Sequence, residues 1–264
     1  MFSGLLARSR AVSAGLCVAA AAALGGCGST SSSAVTVTGT RLTVYLSAPA
    51  NLASNPQAQD VIDAELLAFH PSCTLSSCAP IHIDHFTVAL VRLTTDKVSS
   101  NARRAIIDST AVAYLGEVQP GASIDSLGIT NAEQLLQVSP AEAASVPTSD
   151  FESFGTYGRT FASMAPNQDA QPLLAGSAGK AFLNAFRGAF GHAPSSQAVF
   201  GYLAMTAVLK ALHKAGSGAT NRGTIRTDFF ALKNAPLLVG SAGPELGTYS
   251  VSSHGTVTIT PAAG

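Results

Sequence analysis

From Arg41 onward, apolar and polar positions alternate between strand-like and helix-like stretches. RLTVYLSAP, Arg41 to Pro49, is β-branched and apolar and closes on small residues and a proline, which predicts a first strand. In PQAQDVIDAELLAF, the residues Val61, Ile62, Leu66, Leu67 and Phe69 recur at roughly helical spacing. IDHFTVALVRL, Ile83 to Leu93, has a near-continuous apolar middle and predicts a second strand covered on both faces. SSNARRAIID opens on Ser99, Ser100 and Asn101 as cap candidates and predicts a short helix. TAVAYLGEV, Thr110 to Val118, predicts a third strand ending at Gly116. GASIDSLGITNAE supplies a small-residue turn and another helix, and LLQVSPA a fourth strand. Such alternation predicts an α/β fold: a parallel sheet with right-handed crossovers and helices on both faces.

The pattern then breaks. MAPNQDAQPLLAG, residues 164 to 176, is polar and marked by prolines, with no helical or strand period. Beyond it, GKAFLNAFRGAFG places Phe182 and Phe186 on one helical face and is expected to stop at Gly191. SSQAVFGYLAMTAVLKALHKAG starts with serines and is apolar nearly all round, which predicts a buried helix. NRGTIRTDFFALKN predicts a shorter amphipathic helix. GTYSVSSHGTVTIT is two alternating runs around Ser253, His254 and Gly255, a C-terminal β-hairpin.

The 264 residues suffice for one large domain or two small ones. Fifteen basic residues balance fifteen acidic ones, and only 11% of the chain is charged. No Lys/Arg cluster stands outside the extreme N-terminus, which argues against nucleic acid as a partner. No phosphate loop, paired-carboxylate motif or metal motif emerges, so neither a cofactor nor an enzymatic reaction is expected. Ser123 lacks the Gly-x-Ser-x-Gly elbow of a nucleophile. Glu117, after a strand end, is expected to be a solvated rim carboxylate.

MFSGLLARSRAVSAGLCVAAAAALGGC carries Arg8 and Arg10, then an uncharged run suited to an export signal. The run ends in Leu24-Gly25-Gly26-Cys27, which resembles the lipobox of bacterial lipoproteins. Residues 1–26 are therefore expected to be removed and Cys27 to be acylated. The segment 27–40 would tether the body to the outer face of the cytoplasmic membrane. In that exported setting Cys73 and Cys78 are expected to form a local disulfide, contributing about 2 kcal/mol. A metal site with His70, His82 or His85 is the alternative. It is weakened because positions three apart in a strand-like run point to opposite faces.

Several blocks occur in a familiar order: YLSAP, QDVIDAELLA, SSNARRAIID, AYLGEVQPGASIDSLGITNAEQLLQVSPA, YGRTFASMAPN and GKAFLNAFRGAFGHAPSSQAVFGYLAMTAVLKALHKAG. Together they resemble the branched-chain amino-acid-type solute-binding proteins of ABC transporters, with the type I periplasmic-binding fold. The resemblance runs from about Arg41 to the final hairpin. It implies two α/β lobes closing on a small solute, commonly an amino acid, and delivery to an ABC permease. The chain departs from that pattern, because residues 164–176 stand where most of a second lobe should be. What remains, 41–163 with 177–264, is expected to be a single lobe.

The resemblance implies that first-lobe contacts to a ligand carboxylate come from backbone N–H groups and small residues in loops after strands. The matching positions are Gly121, Ala122 and Ser123 in QPGAS, and Ser139, Ala141 and Ala143 in SPAEAA. Ala143 stands where the family usually has a threonine, so one donor is missing, and the acidic residue for a ligand ammonium belongs to the missing lobe. Phe200 and Tyr202 are candidate cleft aromatics, with core packing as the alternative. A rival reading makes the inherited cleft face a protein–protein or dimerisation interface, with apolar surface exposed around it.

Overall fold

The computed structural model describes residues 35–95, 97–142, 160–164, 169–238, 244–251 and 257–262. The proposed signal and lipobox with Cys27, the candidate Ala143 and the Ser253–Gly255 turn lie outside the described residues.

The main sheet has the strand order β2-β3-β1-β4-β5-β6. Its strands are β1 (Arg41–Pro49), β2 (Ile81–Ile83), β3 (Phe86–Thr95), β4 (Ala111–Leu115), β5 (Leu136–Ser139) and β6 (Phe161–Ser163). All neighbours pair in parallel except β2, which runs antiparallel to β3 at the edge. Parallel pairs need crossovers, and α1 (Pro56–Phe69), α2 (Val98–Ile107) and α3 (Ile124–Ala132) supply them. Asn55 starts α1, its side chain accepting from the Ala58 N–H at 3.1 Å just ahead of Pro56.

Strand β1 is buried over nearly its whole length because both faces are covered. Leu42, Val44 and Leu46 enter the large core, whereas Tyr45 joins Ala102, Ala105, Tyr114 and Leu135 in a smaller one beneath α2 and α3. Burying each such aliphatic side chain stabilises the fold by roughly 1.5–3 kcal/mol.

After β6 the chain forms α4 (Gln171–Ala175), α5 (Ser177–Phe190), α6 (Ala198–Ala215) and α7 (Arg222–Phe230). Helix α6, apolar nearly all round, is buried as its pattern predicts and packs along α1. A separate antiparallel sheet, ordered β7-β8-β9, follows: β7 (Ala235–Leu238), β8 (Glu245–Val251) and β9 (Val257–Pro261). Its Leu237, Leu246, Tyr249, Val257 and Ile259 complete the large core.

The structure corrects the sequence reading in three places. The single strand expected over Ile83–Leu93 is a hairpin: Asp84 takes φ 52° and turns β2 back onto β3. His82 therefore lies on β2 and His85 in the turn, both exposed, rather than on one strand. The terminal hairpin gains a third strand, β7, too short at four residues to show a period. The stretch 164–176 carries the short helix α4, which buries Leu173. Cys73 and Cys78 are joined as a disulfide.

Candidate functional site

Strands β1, β4, β5 and β6 run parallel, so their C-terminal ends share one edge of the sheet, where an open α/β sheet commonly carries its ligand site. The segments leaving β4 and β5 meet there. Gly116, directly after β4, has φ 149°, and a Cβ on it would stand 2.8 Å from the Ser47 Cβ. Only glycine fits that position, and the chain then turns Glu117 inward.

Glu117 is 4% exposed, which overturns the expectation of a solvated rim carboxylate. Its Oε2 accepts from the Ser47 hydroxyl at 2.5 Å and its Oε1 from the Tyr114 hydroxyl at 2.8 Å. Asn101, on α2, donates to the Ser47 oxygen at 3.0 Å. Burial pushes the Glu117 carboxyl up to about 7, although the hydroxyl donors of Ser47, Tyr114 and Ser126 pull it down. The Tyr114 phenol is pushed well above its ordinary range by burial and by the neighbouring Glu117.

The Glu117 backbone links the two loops. Its N–H donates to Ser123 Oγ at 3.3 Å, and its carbonyl accepts from Ser139 Oγ at 2.8 Å. Ser139 Oγ in turn accepts from the amides of Ala141 and Glu142, at 3.3 and 3.0 Å. Beneath this, Gln137 donates to the Gly116 carbonyl at 3.1 Å and to Ser126 at 2.8 Å, and accepts from Thr130 at 2.7 Å.

Of the expected residues, the structure brings Gly121, Ser123, Ser139 and Ala141 together, and the residue that unites them is Glu142. Its carboxylate accepts from the Gly121 amide at 2.9 Å and from the Ser123 amide at 3.3 Å. Its carbonyl accepts from Ser163 at the end of β6. The Ala122 amide is spent on the turn, donating to the Gln119 carbonyl at 3.2 Å. Glu142 is 1% exposed and makes no ion pair among the described residues.

Phe200 and Tyr202 stand elsewhere, buried on α6 in the large core, where Tyr202 packs edge-on against Phe182. Sequence reasoning missed Ser47, Tyr114 and Glu142. The first two are strand residues like any other, and the third sits between the small residues of SPAEAA with no local signal of its reach. Among the described residues no group of three or more His, Cys, Asp or Glu side chains could hold a metal ion. No described helix is long and apolar enough to cross a membrane.

No family model matches the chain, and no curated protein matches it significantly. Solved structures do match in fold. An ABC-transporter substrate-binding protein from Desulfitobacterium hafniense in complex with Leu is similar at TM-score 0.57 and 12% identity, over 84% of this chain and 96% of that one. A leucine-binding protein from Thermotoga maritima gives TM-score 0.56 and 12% identity, over 84% and 98%. An ABC-transporter solute-binding protein from Rhodopseudomonas palustris, bound to 3,4-dihydroxybenzoic acid, gives TM-score 0.56 and 12% identity, over 84% and 92%. The likeness shows the fold, the type I periplasmic-binding fold expected from the sequence blocks.

Proposed function

We propose that this chain is an extracytoplasmic solute-binding protein of ABC-transporter type, acylated at Cys27 and held on the outer face of the cytoplasmic membrane. Its solute is a small polar molecule, of amino-acid size, and its partner an ABC permease. The observation that carries the reading is the convergence at one sheet edge of the loops Gly116–Ser123 and Ser139–Glu142, tied to one another through Glu117. In the type I fold that edge faces the solute. Residues 164–176 stand in place of most of a second lobe, so the solute rests on one wall. Affinity is then expected to be weaker than in a closed cleft, which buries most of a ligand's surface.

The fold neighbours are solute-binding proteins, which supports a binding role. The rival reading, an apolar docking face, has less support. The exposed large hydrophobics among the described residues are Ile107, at the end of α2, and Ile124, at the start of α3.

Isothermal titration of the full chain against a panel of neutral, cationic and anionic small solutes tests the proposal. Saturable heat with at least one of them is expected, and none from a cooperatively melting sample would end it. For the anchor, Cys27→Ala should abolish labelling by a radioactive fatty acid and release the protein from the membrane fraction.

A further inference from the structure

The amides of Gly121 and Ser123 converge on one point and already hold a carboxylate, that of the chain's own Glu142. Among the described residues no basic side chain pairs with this buried acid, and its carboxylate accepts from backbone N–H groups. Backbone amides that receive a buried carboxylate suit that chemistry, since a hydrogen bond to a charged acceptor is stronger than one to a neutral acceptor. Two further contacts fix Glu142 there, and a third anchors one of its partners. Its amide donates to Ser139, its carbonyl accepts from Ser163, and Ser139 is anchored on the Glu117 carbonyl. Gly121 is exposed while Ser123 is buried, so the pair of amides sits at the margin between solvent and core.

We infer that Glu142 is the specificity-determining residue of the proposed solute site: it occupies the carboxylate position and thereby excludes carboxylate-bearing solutes. The inference rests on the solute-binding reading and narrows it. A tethered carboxylate competes at an effective concentration of about millimolar or more, so a free one must outcompete a group that never leaves. Solutes admitted beside it are recognised through neutral or cationic polar groups. The positions Gly121, Ser123 and Ser139 are thus present as the blocks suggest, but their hydrogen bonds are spent within the chain.

The test is an acetate titration of the full chain, read from the backbone amide resonances of Gly121 and Ser123. In the unaltered protein neither should move at millimolar acetate. In Glu142→Ala both should move saturably, with acetate bound about tenfold to a hundredfold more tightly, the worth of one charge-assisted hydrogen bond. A folded Glu142→Ala with no gain overturns the inference, as does equal acetate binding by the unaltered chain. If Glu142→Ala does not fold, the isosteric Glu142→Gln decides by the same readout, with a smaller gain expected and no gain fatal. The two failures are distinguishable. An unaltered chain that binds nothing in the solute panel, beside a Glu142→Ala that binds acetate, would end the solute-binding reading and with it the specificity role, leaving only the occupation of the two amides by Glu142.

Discussion

Asp60, in the second turn of α1, accepts from the His192 ring at 2.8 Å through Nε2, and its other oxygen accepts from the Ser195 amide at 2.6 Å. One carboxylate thus pins the α5–α6 connection to the start of α1, across more than 130 residues of chain. His192 Nδ1 meets the Phe190 carbonyl at 3.1 Å, so the doubly protonated ring satisfies both contacts.

The Asp60 hydrogen bond is the largest cause raising the His192 pKa above 6.5. A raised histidine stabilises the fold fully below its unfolded pKa, and that contribution is lost as pH rises through the folded value. The ring is about half exposed, so the effect is screened and modest. His192→Ala is expected to lower stability by about 1 kcal/mol at pH 5.5 and by less at pH 8.5, followed by urea denaturation. An equal loss at both pH values would contradict this account.

Arg222, at the start of α7, is fully buried, and its guanidinium donates to three backbone carbonyls: Ala111 at 2.8 Å, Asp108 at 2.9 Å and Glu133 at 3.3 Å. Burial pulls its pKa down while the nearby Glu133 and Asp108 raise it. The planar fork serves the start of β4 and the end of α3 at once, which a lysine cannot do. Arg222→Lys is expected to cost about 2 kcal/mol and Arg222→Ala about 3–4 kcal/mol, measured as midpoint shifts in denaturant. A Lys variant as stable as the parent would show that the three carbonyls need no fork.

These two clusters mark the limit of what the chain discloses before it folds. Strand β1 and helix α1 were legible to the residue, because RLTVYLSAP and PQAQDVIDAELLAF carry their own period and boundary signals. The loops of the site were legible by position, since loops after parallel strands gather at one edge. The inward turn of Glu117 was not, because it depends on Gly116 meeting Ser47 some 70 residues away. Glu142 was invisible for the same reason: its carboxylate closes on amides about 20 residues upstream, and no local pattern records such a reach.

Gly201, on α6, faces the Val61 carbonyl of α1 so closely that a Cβ there would stand well inside contact distance of it. The obstacle is backbone, which cannot rotate aside, so the helices must separate. Gly201→Ala is therefore expected to destabilise by about 2–3 kcal/mol, although alanine is the better helix former by about 1 kcal/mol. Thermal denaturation checks the sign, and a stabilised Ala variant would mean the two helices are less tightly held.

Glu65 offers the opposite sign. It is fully buried on α1, and neither carboxylate oxygen has a hydrogen-bond partner among the described residues. Burial, followed by the charge of Glu117, raises its pKa well above 4.5 and so favours the neutral acid. Keeping a carboxyl protonated above its unfolded value of 4.5 costs stability that grows as pH rises. The sign follows from proton counting: between 4.5 and the folded pKa the native state binds more protons than the unfolded chain, so stability falls as pH rises. Glu117, pushed up to about 7, adds a second contribution of the same sign over pH 4.5 to 7. Glu65→Gln is therefore expected to stabilise the protein at pH 7 by about 1–3 kcal/mol and to change little at pH 4. It should also flatten the decline between those values, leaving the part that belongs to Glu117. Denaturant midpoints at pH 4, 5.5 and 7 distinguish the outcomes: a Gln variant that is less stable at pH 7 would mean that the Glu65 carboxyl has a partner in solution and is not held neutral by burial.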